Sequence, residues 1–246
     1  MAGHIVTPEG RRLKKIAAPT TTPVSDTSVK EVHVDAPRVC YNMPNEEFFP
    51  LMMRLRDKAV RLMGDRLAEL ARWNETDRDK VALWFGEASE AIRQTLIDGL
   101  PRMREIMSTL TEKNFVRETA EGIAAVGCVM ASNDATASVC KPDGTFTIFI
   151  ASKFCDLEAD EIDFKTGMTR AKDSKLIVLI HEVSHFPVAM NTEDPIYGIP
   201  SVKEAARKKN PILMGNAGSV AYYVVNMPNW RYTPPSWKKN QINYIL

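Results

Sequence analysis

The apolar positions of this chain change their spacing along its length, and those changes mark out its elements. From Asn45 onward, Phe48, Leu51, Met52, Leu55, Ala59, Leu62 and Met63 recur at three- and four-residue intervals, and Leu67 and Leu70 continue the row to about Arg72. That period lays one apolar stripe along a helix. Asn74 and Thr76 separate it from a second helix near 77–98, which contains Trp84-Phe85-Gly86 and uses the two aromatics for packing. A third helix runs through Met103, Ile106 and Met107.

The pattern then shortens. Phe115-Val116 and the runs 126–130, 137–140 and 146–150 are short and β-prone, between polar breaks, and they predict a small antiparallel sheet. Lys141-Pro142-Asp143-Gly144 supplies a hairpin turn ahead of the last run. Residues 158–175, acidic first and then basic, read as a surface connection too polar for core. Leu176 to Ile180 are continuously apolar, which suits a helix over about 175–186 buried on every side. Phe186-Pro187 ends that helix, since proline restricts the residue before it. Two more helices are expected at 201–209 and 213–226, separated by Asn210-Pro211.

The flanks have a different composition. Residues 1–43 read as disordered or extended, with a proline- and threonine-rich stretch at 18–25 and a basic cluster of Arg11, Arg12, Lys14 and Lys15. Residues 227–246 form a proline- and aromatic-rich tail whose Trp230, Tyr232, Trp237 and Tyr244 suit packing. The domain is therefore expected over 44–226.

At 246 residues, 44% hydrophobic and 26% charged, the chain can bury a sizeable core. A net charge of +1 offers no global reason to expect nucleic acid or an anionic membrane surface. No apolar run approaches the roughly 18 residues of a membrane span. Residues 1–24 are broken by Pro8, Arg11, Arg12, Lys14, Lys15 and Pro19, so no conventional secretory signal is expected there. Cys40, Cys128, Cys140 and Cys155 include no CxxC pair, which argues against a cysteine zinc site. Cys140 and Cys155 flank the hairpin, so a bridge between them, with Cys40–Cys128 as the complement, is one arrangement. Four buried thiols are the other.

Candidate chemistry lies in His181-Glu182-Val183-Ser184-His185, which takes two of the chain's four histidines; His4 and His33 have no ligand-like company. Histidines four apart on a helix share a face one turn apart, so both imidazoles can reach one ion, with the glutamate beside it. Asn191, Pro195 and Gly198 mark an irregular segment able to fold back and bring an oxygen ligand, leaving one position open as catalytic zinc sites do.

These residues resemble the aspzincins, the deuterolysin-type zinc endopeptidases, whose pattern is HExxH followed by GTxDxxYG; the chain reads HEVSHF and then NTEDPIYG. The interval from His185 to Asp194 is similar to that of the fungal lysine-specific branch. Trp84-Phe85-Gly86 resembles an element of bacterial relatives. The resemblance covers about 76–226 and implies an α+β, zincin-like metalloprotease fold, mainly helical, with a small antiparallel sheet and an HExxH active-site helix. It implies that His181, His185 and Asp194 hold Zn2+, that Glu182 is general base and proton shuttle, and that Tyr197 donates a hydrogen bond to the oxyanion. An edge strand holds extended peptide in such enzymes, with 146–150 the first candidate here.

Two positions depart from the family pattern. Asn191 replaces a glycine, and asparagine tolerates positive φ. Gly218 replaces the aspartate that follows Asn216 by two, which leaves Asn216 as a supporting residue or a helix cap. Bacterial proteins similar to this one look like exported toxins. That analogy implies a peptidase made in the cytoplasm and then secreted or delivered to the periplasm or a target cell, with a secretion apparatus or immunity protein as partner. Two other readings stay open: a catalytically weak or inactive binding protein on the peptidase fold, and an amidase acting on cell-wall peptides.

Overall fold

The apolar stripe becomes the buried face of a 28-residue helix, α1 (Asn45–Arg72), with Phe48, Met52, Leu55, Ala59, Met63 and Leu70 inside. The computed structural model describes residues 37–129, 135–160 and 172–225. The expectations for 1–36, for 161–171 of the charged connection and for the 227–246 tail lie outside the described residues. Trp73 ends α1 in the left-handed region at φ 50°.

Helix α2 (Glu75–Phe85) starts at Asn74, whose side chain accepts from the Asp77 amide while Asp77 returns a bond to the Asn74 amide. This reciprocal cap satisfies two donors that a helix start leaves open. Gly86 stops α2 at φ 87°, and α3 (Glu90–Thr109) begins at Ser89. The break therefore falls at 86–89, where the expected helix near 77–98 was continuous, and Gly99 and Pro101 lie inside α3. Both glycines answer to packing. A Cβ at Gly86 would come 2.7 Å from the Ala206 carbonyl oxygen, and one at Gly99 2.5 Å from Met190 Cγ.

Three short strands follow, β1 (Phe115–Arg117), β2 (Ala137–Val139) and β3 (Ile148–Ile150), with the short helix α4 (Ala120–Ala125) between the first two. Their order is β1-β3-β2. The expected hairpin is present, β2 pairing antiparallel with β3, and Asp143 shapes its loop by accepting from the Thr145 and Thr147 amides. β1 pairs parallel with β3, so the sheet is mixed and not wholly antiparallel. Chain enough for a crossover intervenes between β1 and β3, which permits parallel pairing. Val126 and Gly127 turn off the end of α4 and make no strand. The helical start was masked by β-prone neighbours, although Thr119 caps it by accepting from the Gly122 amide.

After α5 (Ser152–Cys155) comes α6 (Lys175–His185), capped by Ser174 and buried along its length except at His181, as its continuous apolar run 176–180 suggested. It packs against α1 and α8 (Ala217–Val225), while α7 (Ile199–Arg207) packs on α2. Residues 213–215, expected in the last helix, form a 3-10 turn with Pro211 instead. Lys175 is buried rather than on the surface, its Nζ donating to the Cys155 carbonyl at 3.0 Å and also to that of Leu157. The cysteines pair as Cys40–Cys155 and Cys128–Cys140, not as the hairpin geometry suggested. No described helix is long and apolar enough to cross a membrane.

Candidate metal centre

The last turn of α6 sets His181 above His185, with ring centroids 4.9 Å apart. Glu182 sits between them in sequence and is buried. Phe186 leaves helical geometry, and its carbonyl accepts from the Ala189 and Asn191 amides, closing a tight reversal. Asn191 adopts φ 51°, the left-handed conformation for which it was expected to stand in for glycine. The chain then runs back along α6, with the Thr192 amide donating to the Ser184 carbonyl at 3.2 Å.

This return delivers Asp194 to both imidazoles. Its Oδ1 lies 3.1 Å from His181 Nε2 and its Oδ2 3.2 Å from His185 Nε2. The far side of the loop is held by the segment before α8. Glu193 donates to the Gly215 carbonyl and accepts from the Ala217 amide, and buried Asn216 accepts the Ile196 amide at 3.2 Å. Asn216 thus braces the loop through its side chain, and its amide group also donates to Ser219 Oγ.

The donor set fits a zinc ion. Bonds of about 2.0–2.2 Å to tetrahedral zinc would put neighbouring ligand atoms about 3.3–3.6 Å apart, slightly wider than the nitrogen–oxygen separations of 3.1 and 3.2 Å. Asp194 Oδ1 is buried and finds no hydrogen-bond donor, despite its 3.1 Å approach to His181. An acceptor facing an imidazole nitrogen without a shared proton is a place for a cation. Glu182 also has an oxygen within 4.8 Å of ligand nitrogens of both histidines. Asp194 approaches both Nε2 atoms directly, at 3.1 and 3.2 Å, one carboxylate oxygen to each histidine.

Electrostatics separate the two carboxylates. Burial pushes the Glu182 carboxyl up, against the pull of His181 and His185. Burial also opposes charge on Asp194, but its contacts with the two histidines prevail and hold it far below the usual carboxylate range. Burial and then the Asp194 charge push the Tyr197 hydroxyl up, so it remains a donor at neutral pH.

His181, Glu182, Asp194 and Tyr197 open onto a cleft of about 400 Å³, walled by Ile177, Ile196, Gly218 and Tyr222 and by residues 135–137 leading into β2. Tyr197 is 68% exposed on it. β3 is central in the sheet, with both edges paired, so it cannot accept a further strand as expected. β2 is the edge strand whose approach lines the cleft. The structure also adds residues that the sequence reading passed over. Thr192 accepts from His185 Nδ1, Ser184 touches Thr192, and Asp173 accepts from the Tyr222 hydroxyl at 2.9 Å beside Gly218. Ser184 alone carried a signal, a polar residue in a helix expected to be buried; Asp173 lay in the expected surface connection and Thr192 in the irregular segment.

A family model for the aspzincins, described as lysine-specific metallo-endopeptidase, matches residues 70–225, nearly the interval over which the resemblance was expected. Among solved structures, a zinc peptidase from Grifola frondosa is similar with a TM-score of 0.54 and 18% identity, over 74% of this chain and 97% of that one. At that identity the likeness concerns the fold. No curated protein matches the chain.

Proposed function

This chain belongs to the aspzincin family of zinc metalloendopeptidases, and from that membership we propose that His181, His185 and Asp194 hold the ion while Glu182 and Tyr197 carry the proton and charge transfers. The observation that carries this assignment is the Asp194 carboxylate lying against both Nε2 atoms. Zinc supplies Lewis acidity and lowers the pKa of a water from about 16 to about 7. Glu182 takes the proton of that water and later returns it to the leaving amine; a carboxyl raised by burial suits both directions of transfer. The Tyr197 hydroxyl donates to the carbonyl oxygen as negative charge develops there. The free edge of β2 aligns the extended peptide by backbone pairing.

Replacing Glu182 with Gln should preserve zinc content and lower turnover by about 10²–10⁴-fold, the usual share of a general base. Zinc-loaded E182Q with wild-type turnover would remove Glu182 from the mechanism. Asp194→Ala should lose zinc on dialysis, and full occupancy would exclude it as a ligand. Mass spectrometry of a proteome digest then reports the cleavage preference.

The biological reading is a bacterial toxin or effector delivered to an oxidising compartment, supported by two disulfides among the described residues. Toxicity restricted to periplasm-directed protein supports it; equal toxicity in the cytoplasm counts against it. Gly218, in place of the family aspartate, favours a second reading as a weakly catalytic or inactive binding protein, for which zinc-loaded protein that cleaves no peptide is the signature. Cleavage of cell-wall peptides but not of casein would favour the amidase.

A further inference from the structure

We infer that Ser184 is a positioning residue, which acts through the Thr192 hydroxyl to keep the proton of His185 on Nδ1 and its Nε2 lone pair toward the ion. This rests on the ligand set proposed above.

Ser184 Oγ donates to the His181 carbonyl at 2.6 Å, which uses its one proton. Thr192 Oγ1 lies 2.7 Å from Ser184 Oγ, so the proton between them belongs to threonine. Thr192 then presents only acceptors to His185: its carbonyl oxygen at 2.9 Å from Nδ1 and its spent hydroxyl oxygen at 3.4 Å. Nδ1 must therefore carry hydrogen, and a neutral ring so protonated has its lone pair at Nε2, the atom facing Asp194. Ser184 and Thr192 are 0% and 1% exposed, so water does not substitute for either hydroxyl.

Without the serine oxygen, the Thr192 hydroxyl is free to turn its proton toward Nδ1, 3.4 Å away, in competition with the Thr192 carbonyl that accepts from Nδ1 at 2.9 Å. Turned that way it favours the other tautomer, which aims an N–H at the ion. The same two residues also join α6 to the returning loop, since the Thr192 amide bonds the Ser184 carbonyl two residues ahead of Asp194.

The test compares the full-length protein with Ser184→Ala, Thr192→Val and Thr192→Ser. It measures zinc affinity by chelator competition, the visible spectrum of the cobalt-substituted forms, and melting of the metal-free proteins. S184A and T192V should each bind zinc 10–100-fold more weakly and alter the cobalt spectrum, as loss of a ligand's orienting partner does. T192S, which keeps the hydroxyl, should stay within about threefold of wild type on the same scale. The double variant S184A/T192V should be no weaker than the worse single one. Wild-type zinc affinity in either S184A or T192V would overturn the inference. T192S as weak as T192V would do the same, by assigning the effect to packing of the methyl group. Should S184A fail to fold, the T192V and T192S pair decides alone. Wild-type protein that binds no zinc would overturn the ligand set itself, a distinct result.

Discussion

Asp194 shows how much one side chain can settle here, because two imidazoles and a loop return meet on its carboxylate. Tyr197, three residues on, is a different case: its ring is exposed and contributes little to stability. Tyr197→Phe should therefore leave melting temperature and zinc content unchanged and lower kcat by about 10²–10³-fold with little change in KM, the signature of a bond made in the transition state. A KM effect alone would make it a substrate contact. The meeting of His181 and His185 was legible from sequence, because spacing on a helix is local and its period carries both histidines to one face. The hydroxyls of Ser184 and Thr192 were not, since their meeting depends on a chain reversal that no short pattern encodes. Asn216 was half legible, marked as a supporting residue without the loop amide it accepts.

Elements followed the same division between local and tertiary causes. The stripes of α1 and the apolar run of α6 gave their helices directly. The α2–α3 break did not, because Gly86 and Gly99 look alike in sequence and differ only in what packs on them. Gly86 holds a left-handed cap against the backbone of α7, whereas Gly99 faces the flexible end of Met190. Gly86→Ala should consequently destabilise by about 2–3 kcal/mol, from left-handed strain plus a clash with backbone. Gly99→Ala should cost less, since the Met190 side chain can move; chemical denaturation ranks the two, and the reverse order would refute this account. At the start of α2, Arg72 grips Asp77 through bonds of 2.8 and 2.6 Å. That hydrogen bonding holds the Asp77 carboxyl below its ordinary value, against its burial. A folded-state pKa below the unfolded one stabilises above the unfolded value, about 3.9, and the contribution is lost as pH falls through the folded value. Asp77→Asn should thus lower melting temperature near neutrality and flatten its decline below about pH 4. An unchanged acid limb would exclude Asp77 as a source of it.

For the molecule as a whole, the pairing of distant cysteines could not be read from a hairpin and an even count. Cys40–Cys155 spans 115 positions and Cys128–Cys140 spans 12. Longer loops lose more unfolded-state freedom, so Cys40→Ser/Cys155→Ser should cost about 4–5 kcal/mol and Cys128→Ser/Cys140→Ser about 3. Equal losses in denaturant titrations would point to local strain rather than loop entropy. The shorter bridge also anchors the end of β2, so its removal should raise KM for extended peptides more than the longer bridge does.

The longer bridge has a consequence for handling a proteolytic enzyme. A nick anywhere between Cys40 and Cys155 would leave both fragments covalently joined. Self-digestion in that span would leave the mass on a non-reducing gel almost unchanged, and only thiol treatment would release the pieces.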